Sequence, residues 1–217
     1  MATAVRTRPA REPAETVTLG GTTAPRYMTV AQFERFPWSD DVVPELVRGE
    51  VQLSPLPAAV HGWIVRNLTR ALDAYARPLG LGEVFGDGMG YRLRPLTLTV
   101  RGPDVSFVRT GRLPASVPTR GYFEVAPDLA VEVLSPSNRR ARMEQRISDL
   151  FATGTAAVWV VDPRTRAVTV RTPDGGARVL GEADTLDGAP VLPEFTMPVA
   201  DVFAGVAPPP LRRRRAP

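Results

Sequence analysis

The sequence predicts a sheet domain of the α/β or α+β class, and three observations carry that prediction. Apolar residues switch between helical spacing and strand alternation in the order helix, hairpin, long helix, several strands, helix, strand, hairpin. At 217 residues the chain is long enough for one domain with a sizeable core and short for two. Hydrophobic residues make up 43% and charged residues 23%, the balance of an ordinary globular chain.

The elements follow in order. "TVAQFERF" reads as a short helix, and "PELVRGEVQLSP" as a hairpin whose apolar residues Leu46, Val47, Val51 and Leu53 flank a turn at Arg48-Gly49. A long helix is expected from about Pro57 to Pro78, with Val60, Ile64, Leu68, Leu72 and Tyr75 on one face. Strands are expected in "EVFG", "GYRLRPLTLTV", "PDVSFV" and "DLAVEVLS". A second helix runs from Arg139 to Thr153, with Asn138 suited to its N-cap and Gly154 to the position after its end. "AAVWVVDP" is a buried strand, and "AVTVRTPDGGARVL" a hairpin turning at Asp174-Gly175-Gly176.

Residues 1–25 and 205–217 are rich in Pro, Arg, Ala and Thr without periodicity, and both are expected to be disordered around an ordered domain at 26–204. The formal charge of +4 belongs to those ends. Eight of the 27 basic residues lie in 1–26 and 211–217, which leaves 19 Arg against 21 acids between them. A strongly basic nucleic-acid surface is therefore not evident in the body, and the terminal "RRRR" reads first as a solvated tail. All 27 basic residues are Arg. The absence of cysteine excludes disulfides, thiolate metal sites and cysteine nucleophiles. No apolar run approaches the roughly 20 residues that span a bilayer, so no membrane partner and a cytoplasmic location are expected.

The chemistry concentrates in "PDLAVEVLSPSN". Glu132 interrupts an apolar strand, and a lone ionised carboxylate in such a setting costs several kcal/mol unless paired, protonated or bound to metal. Strand alternation puts Asp128, Ala130, Glu132 and Leu134 on one face and Leu129, Val131 and Val133 on the other. In "GPDVSFV" it groups Asp104, Ser106 and Val108 against Val105 and Phe107. If these strands are neighbours, Asp104 and Glu132 repel, and a divalent cation with oxygen ligands, Mg²⁺ or Mn²⁺, removes the cost. The alternative is that Asp104 sits at a strand entrance and Glu132 pairs with an Arg. On the second helix Met143, Ile147 and Leu150 form the apolar stripe, with Arg139 and Arg146 beside it and Arg142 further round. Arg146 can thus reach the strand bearing Glu132 and place a fixed cation by the carboxylates, or form an ordinary helix salt bridge.

"PELVRGEVQLSP", His61 near the start of a long helix, "PDVSFV", "PDLAVEVLSPSN" and "VWVVDP" occur together in this order. The set resembles the Uma family of bacterial restriction-endonuclease-like proteins, within the PD-(D/E)XK nuclease superfamily, over about residues 27 to 203. That resemblance implies a restriction-endonuclease-like fold, a mixed central sheet flanked by helices, and Mg²⁺- or Mn²⁺-dependent hydrolysis of DNA phosphodiester bonds. It implies that Asp104 and Glu132, with the backbone carbonyl of Val133, hold the metal. The superfamily Lys that usually lies two residues after the acid is replaced here by Leu134, and Arg146 on the following helix is the matching position. Guanidinium stays protonated and cannot act as a base, but it can hold water or phosphate. Arg142 stands where the family commonly has Asp. Glu45 and His61 match frequent family residues and have supporting site roles by that resemblance; their plain readings are a strand-edge charge and a helix cap or packing residue.

DNA is the implied partner, and a homodimer is compatible with the reading. The alternative function is a nuclease-fold module that lost hydrolysis and binds nucleic acid or protein. A distant third is a metal-independent hydrolase using His61. "GDGMG" lacks a Walker Lys and does not match a dinucleotide loop, and no G-x-S-x-G elbow is present.

Overall fold

The computed structural model describes residues 15–96, 98–117, 119–135 and 140–208. The chain opens with a hairpin of β1 (Thr16–Leu19) and β2 (Thr22–Pro25), then helix α1 (Val30–Arg35). A second hairpin, β3 (Val42–Val47) and β4 (Glu50–Pro55), leads to the long helix α2 (Ala59–Ala76). The strands β5 (Gly82–Phe85), β6 (Tyr91–Arg92), β7 (Val100–Arg101), β8 (Val105–Arg109) and β9 (Leu129–Val133) follow. Helix α3 (Arg140–Ala152) carries the chain to β10 (Ala157–Asp162), β11 (Ala167–Arg171) and β12 (Ala177–Leu180). Strands β13 (Thr185–Asp187) and β14 (Thr196–Pro198) and the short helix α4 (Val199–Val202) close the fold.

The central sheet has six strands in the order β12-β11-β10-β9-β8-β5. It is mixed: β9 and β10 are parallel and joined through α3, while the other neighbours are antiparallel. One face packs Ile64, Leu68 and Leu72 of α2 onto Val105, Phe107, Leu129, Val131 and Trp159. The opposite face packs Met143, Ile147 and Leu150 of α3 onto Val108, Ala130 and Val158. The expected alternation of β8 and β9 is therefore what divides the core into two layers. Each large apolar side chain so buried stabilises by roughly 1.5–3 kcal/mol.

A four-stranded sheet, β4-β3-β7-β6, stands beside the α3 layer, with Phe33 of α1 packed among Leu46, Val51 and Val100. Thr29 starts α1 with a capping box, accepting from the Gln32 amide at 3.2 Å while Gln32 accepts from the Thr29 amide at 2.8 Å. The β3–β4 turn falls at Arg48 and Gly49 with φ of 50° and 84°, the pair of left-handed residues that a two-residue hairpin requires. Gly154 follows α3 with φ of 100°, where a Cβ would be strained. Among the described residues no helix is long and apolar enough to cross a membrane.

Several expectations need correction. Residues 16–25 are not a structureless tail: the Gly20-Gly21 turn closes a hairpin that buries Ala24 against the second sheet. Alternating Thr, Val and Ala around a Gly-Gly turn is a hairpin signal that the Pro- and Arg-rich composition of the N-terminus masks. At the other end, Val206 accepts a hydrogen bond from Arg166 at 3.2 Å, so order extends past residue 204. "GYRLRPLTLTV" is not one strand but folds back on itself, pairing Tyr91 with Arg101 and Arg92 with Val100. Pro95 lacks the amide that an uninterrupted strand would use. The buried face of α2 is His61, Ile64, Val65, Leu68, Leu72 and Ala76, and Val60 is 37% exposed. The helix is thus turned by about one residue from the expected stripe, which brings His61 inward. The N-cap expected at Asn138, the Arg139 start, residues 1–14 of the expected N-terminal tail and residues 209–217 with the whole of "RRRR" lie outside the described residues.

Candidate active site

Strand register aligns the acidic residues. Phe85 of β5 pairs with Ser106 of β8, so two residues further on Asp87 faces Asp104. Val105 of β8 pairs with Val131 of β9, so one residue further on Asp104 faces Glu132. Three neighbouring segments thus bring carboxylates to one rung at the end of the central sheet. Like charges directly opposite each other oppose folding, so the rung requires cations or protons.

On one side the cation is Arg146. Its Nη1 donates to both oxygens of Glu132 at 2.8 and 3.0 Å and to the Gly102 carbonyl at 3.2 Å. Its Nη2 donates to Glu45 Oε2 at 2.5 Å. The α3 stripe fixes this geometry: Met143, Ile147 and Leu150 dock on the sheet, and Arg146 lies at the rim of that contact. Glu132 is only 3% exposed. Burial pushes its carboxyl up to about 8; Arg146 pulls the other way, and the charges of Asp104 and Glu45 add to the rise. Burial alone would lower the Arg146 guanidinium, but Glu132 and Glu45 outweigh it and hold it further up, so it stays charged.

On the other side no guanidinium among the described residues pairs with the acids, which face the His61 imidazole instead. The Val133 amide donates to Asp104 Oδ2 at 2.6 Å, which fixes the carboxylate and leaves Oδ1 directed elsewhere. Asp104 Oδ1 lies 3.5 Å from His61 Nε2, and Asp87 Oδ1 lies 3.6 Å from the same nitrogen. His61 is 8% exposed, and its Nε2 is buried without a hydrogen-bond partner. Burial pushes the Asp104 carboxyl up to about 6, against the nearby His61 charge, the Val133 amide and Arg146. Burial draws the His61 imidazole down, but the facing carboxylates of Asp87 and Asp104, with Glu132 beyond, leave it raised.

This donor set fits a metal ion. One nitrogen and two carboxylate oxygens, from His61, Asp87 and Asp104, lie within 4.8 Å of one another. Ligand bonds of about 2.0–2.2 Å put neighbouring donors roughly 3 Å apart, so a small contraction of the observed spacing suffices. An orphaned buried imidazole nitrogen aimed at two carboxylates is what such an ion would satisfy.

Behind the rung lies a further acid, Asp149 of α3. It is 1% exposed, and it accepts from Arg101 at 2.7 Å, Arg48 at 2.7 Å and Gln145 at 2.9 Å. Arg101 also donates to Glu45 at 3.2 Å. Burial favours the neutral acid, but these donors win and hold Asp149 below the usual carboxylate range.

The fold brings Glu132, Arg146 and Glu45 into direct contact on one side and sets His61 against Asp104 on the other. The partner that Glu132 contacts is Arg146. Val133 contributes its amide to Asp104, a contact additional to the carbonyl role the resemblance implies. Glu45 lies in β3, an inner strand of its sheet, so it is not a strand-edge charge. Arg142 is exposed. Asp87, Arg101 and Asp149 were not foreseen. Asp87 lies in the "GDGMG" turn, and the signal for it was an acid just past a strand, readable only once that strand is known to neighbour β8.

No curated protein matches the chain. The fold is similar to the crystal structure of "a putative nuclease belonging to DUF820" from Anabaena variabilis ATCC 29413, with a TM-score of 0.72 and 20% identity. That match covers 82% of this chain and 98% of the other. The model of the Uma2 family, described as "Putative restriction endonuclease", matches residues 30–200, which include every residue of the carboxylate rung and its cations. The chain belongs to the Uma2 family.

Proposed function

We propose that the chain hydrolyses phosphodiester bonds of DNA with a divalent ion, Mg²⁺ or Mn²⁺, held by His61, Asp87 and Asp104. The observation that carries this is the buried, unbonded His61 Nε2 facing two carboxylate oxygens at the end of the central sheet. Such an ion supplies an activated water and neutralises phosphate charge. The chain supplies the rest. The Val133 amide holds Asp104 so that one oxygen points at His61. Arg146 holds Glu132 beside Asp104 and presents a fixed positive charge at the rim, which supports charge developing on the phosphate. Glu45 and Arg101 keep Arg146 in that place.

Plasmid and oligonucleotide substrates, DNA beside RNA of the same sequence, test the proposal. Cleavage is expected with Mg²⁺ or Mn²⁺ and none with EDTA. Cleavage unaffected by EDTA, or its absence under all metals, would defeat it. A second reading, a nuclease fold that binds without hydrolysis, draws support from Arg146, whose two terminal nitrogens are already engaged by Glu132, Glu45 and Gly102. Ion binding and DNA binding without cleavage would favour it.

A further inference from the structure

The two sides of the rung differ in a way that bears on how many ions the site takes. Glu45 and Glu132 converge on one point in space, and that point is filled by the Arg146 guanidinium, which bonds both. Asp87 and Asp104 converge on another, with His61, and no guanidinium reaches it among the described residues. We propose that Arg146 is a resident second cation, so that this chain binds one divalent ion at the His61–Asp87–Asp104 side and none between Glu45 and Glu132. The inference rests on the proposed metal site and specifies its stoichiometry.

Charge balance points the same way. Two clusters of ion pairs hold five carboxylates: Glu45, Glu132 and Asp149 in one, Asp87 and Asp104, which face His61, in the other. Three guanidiniums, those of Arg48, Arg101 and Arg146, balance the first, and none of them pairs with Asp87 or Asp104. With His61 neutral, as a ligand must be, the shortfall is two positive charges, which one divalent ion supplies. A second ion, on the guanidinium side, would leave that balanced cluster with two positive charges too many. It would also have to displace a guanidinium that is bonded to two carboxylates and the Gly102 carbonyl. Mn²⁺ is the suitable probe, since it suits carboxylate ligands as Mg²⁺ does, belongs to the first-row divalent series that mixed nitrogen and oxygen sites bind, and is paramagnetic.

The test is titration of Mn²⁺ alone into the metal-free full chain, followed by calorimetry and by the loss of free-ion signal in electron paramagnetic resonance. One Mn²⁺ per chain is expected for the wild type, with at least a tenfold loss of affinity in His61→Ala. Arg146→Met is expected to take two, and Arg146→Met with Glu45→Gln to return to one. Two ions in the wild type, or one in Arg146→Met, would overturn the inference and leave the metal site standing. No ion in the wild type would remove the metal site itself, and the inference with it. If Arg146→Met proves unfolded by circular dichroism, Glu45→Gln alone decides. Glu45 touches guanidiniums and the Gly102 amide, so one ion with affinity within about threefold of wild type is expected. A tenfold loss would make Glu45 a ligand and refute the inference.

Discussion

Asp149 and Asp104 are both acids inside the same fold, one in a cluster of guanidiniums and the other facing an imidazole, and they are treated in opposite ways. Asp149 is surrounded by donors from Arg101, Arg48 and Gln145, and its carboxyl is held below the usual range. Asp104 has one oxygen fixed by the Val133 amide and the other facing His61 Nε2, which makes no hydrogen bond, and its carboxyl is pushed up to about 6. A satisfied polar network makes a rigid support, whereas an unsatisfied buried group stores free energy that a ligand can release. The first cluster therefore holds β3, β7 and α3 together, and the second marks where chemistry is expected.

The largest effect should come from breaking the cluster around the well-bonded Asp149 carboxylate. Asp149→Ala leaves Arg101 buried with only Glu45 to pair it, and loss of one partner from a buried ion pair costs about 3–5 kcal/mol. Urea unfolding at pH 7 measures this; a loss below about 1 kcal/mol would show that Asp149 is not a support.

Asp104→Asn should act in the opposite sense. Removing a charge that faces the proposed metal is expected to lower any cleavage rate by at least about 10²-fold, the scale of losing one preorganised charge contact. The metal-free protein should unfold at higher urea than wild type at pH 8, by on the order of 2 kcal/mol, because a carboxylate disfavoured in the fold is gone. Stability that falls along with activity would erase the distinction between the clusters.

The pH dependence of the metal-free protein should separate the two groups. Asp104 and Glu132 have folded values raised to about 6 and about 8, above their unfolded values, so the native state binds their protons more tightly. Stability from these groups is highest in acid and declines as pH rises from about 4 through about 8. Asp149 has a depressed folded value, so its contribution is present above about pH 4 and is lost only as pH falls further. Urea midpoints at pH 5 and pH 8.5 should therefore favour pH 5, and saturating Mn²⁺ should raise the pH 8.5 value. A higher midpoint at pH 8.5 without metal would contradict this.

The smallest effect is expected at Arg48. Its side chain is 51% exposed, and Asp149 keeps Arg101 and Gln145 when it is removed. Arg48→Ala should cost no more than about 1 kcal/mol in the same unfolding assay, as for an exposed ion pair. A loss approaching that of Asp149→Ala would mean the turn residue carries the cluster.

Local sequence alone determined much of this protein. The alternation around Ala130 and Val131 put Glu132 on the α3 face, and the Met143–Ile147–Leu150 stripe put Arg146 at the rim of the same contact. These are consequences of strand and helix periods, which depend only on near neighbours along the chain. The hairpin at Arg48-Gly49 and the end of α3 at Gly154 were legible for the same reason. Tertiary structure alone decided what those side chains meet. That Asp87 faces Asp104 follows from β5 lying beside β8, a pairing across some twenty residues that no local period encodes. That His61 turns inward depends on how α2 lies over the sheet end, and Asp149 finds Arg101 and Arg48 only because α3 packs beside the second sheet. An apolar stripe can be read from hydropathy, but a polar group's role depends on whether distant residues satisfy it, and those distances exist only in the folded chain.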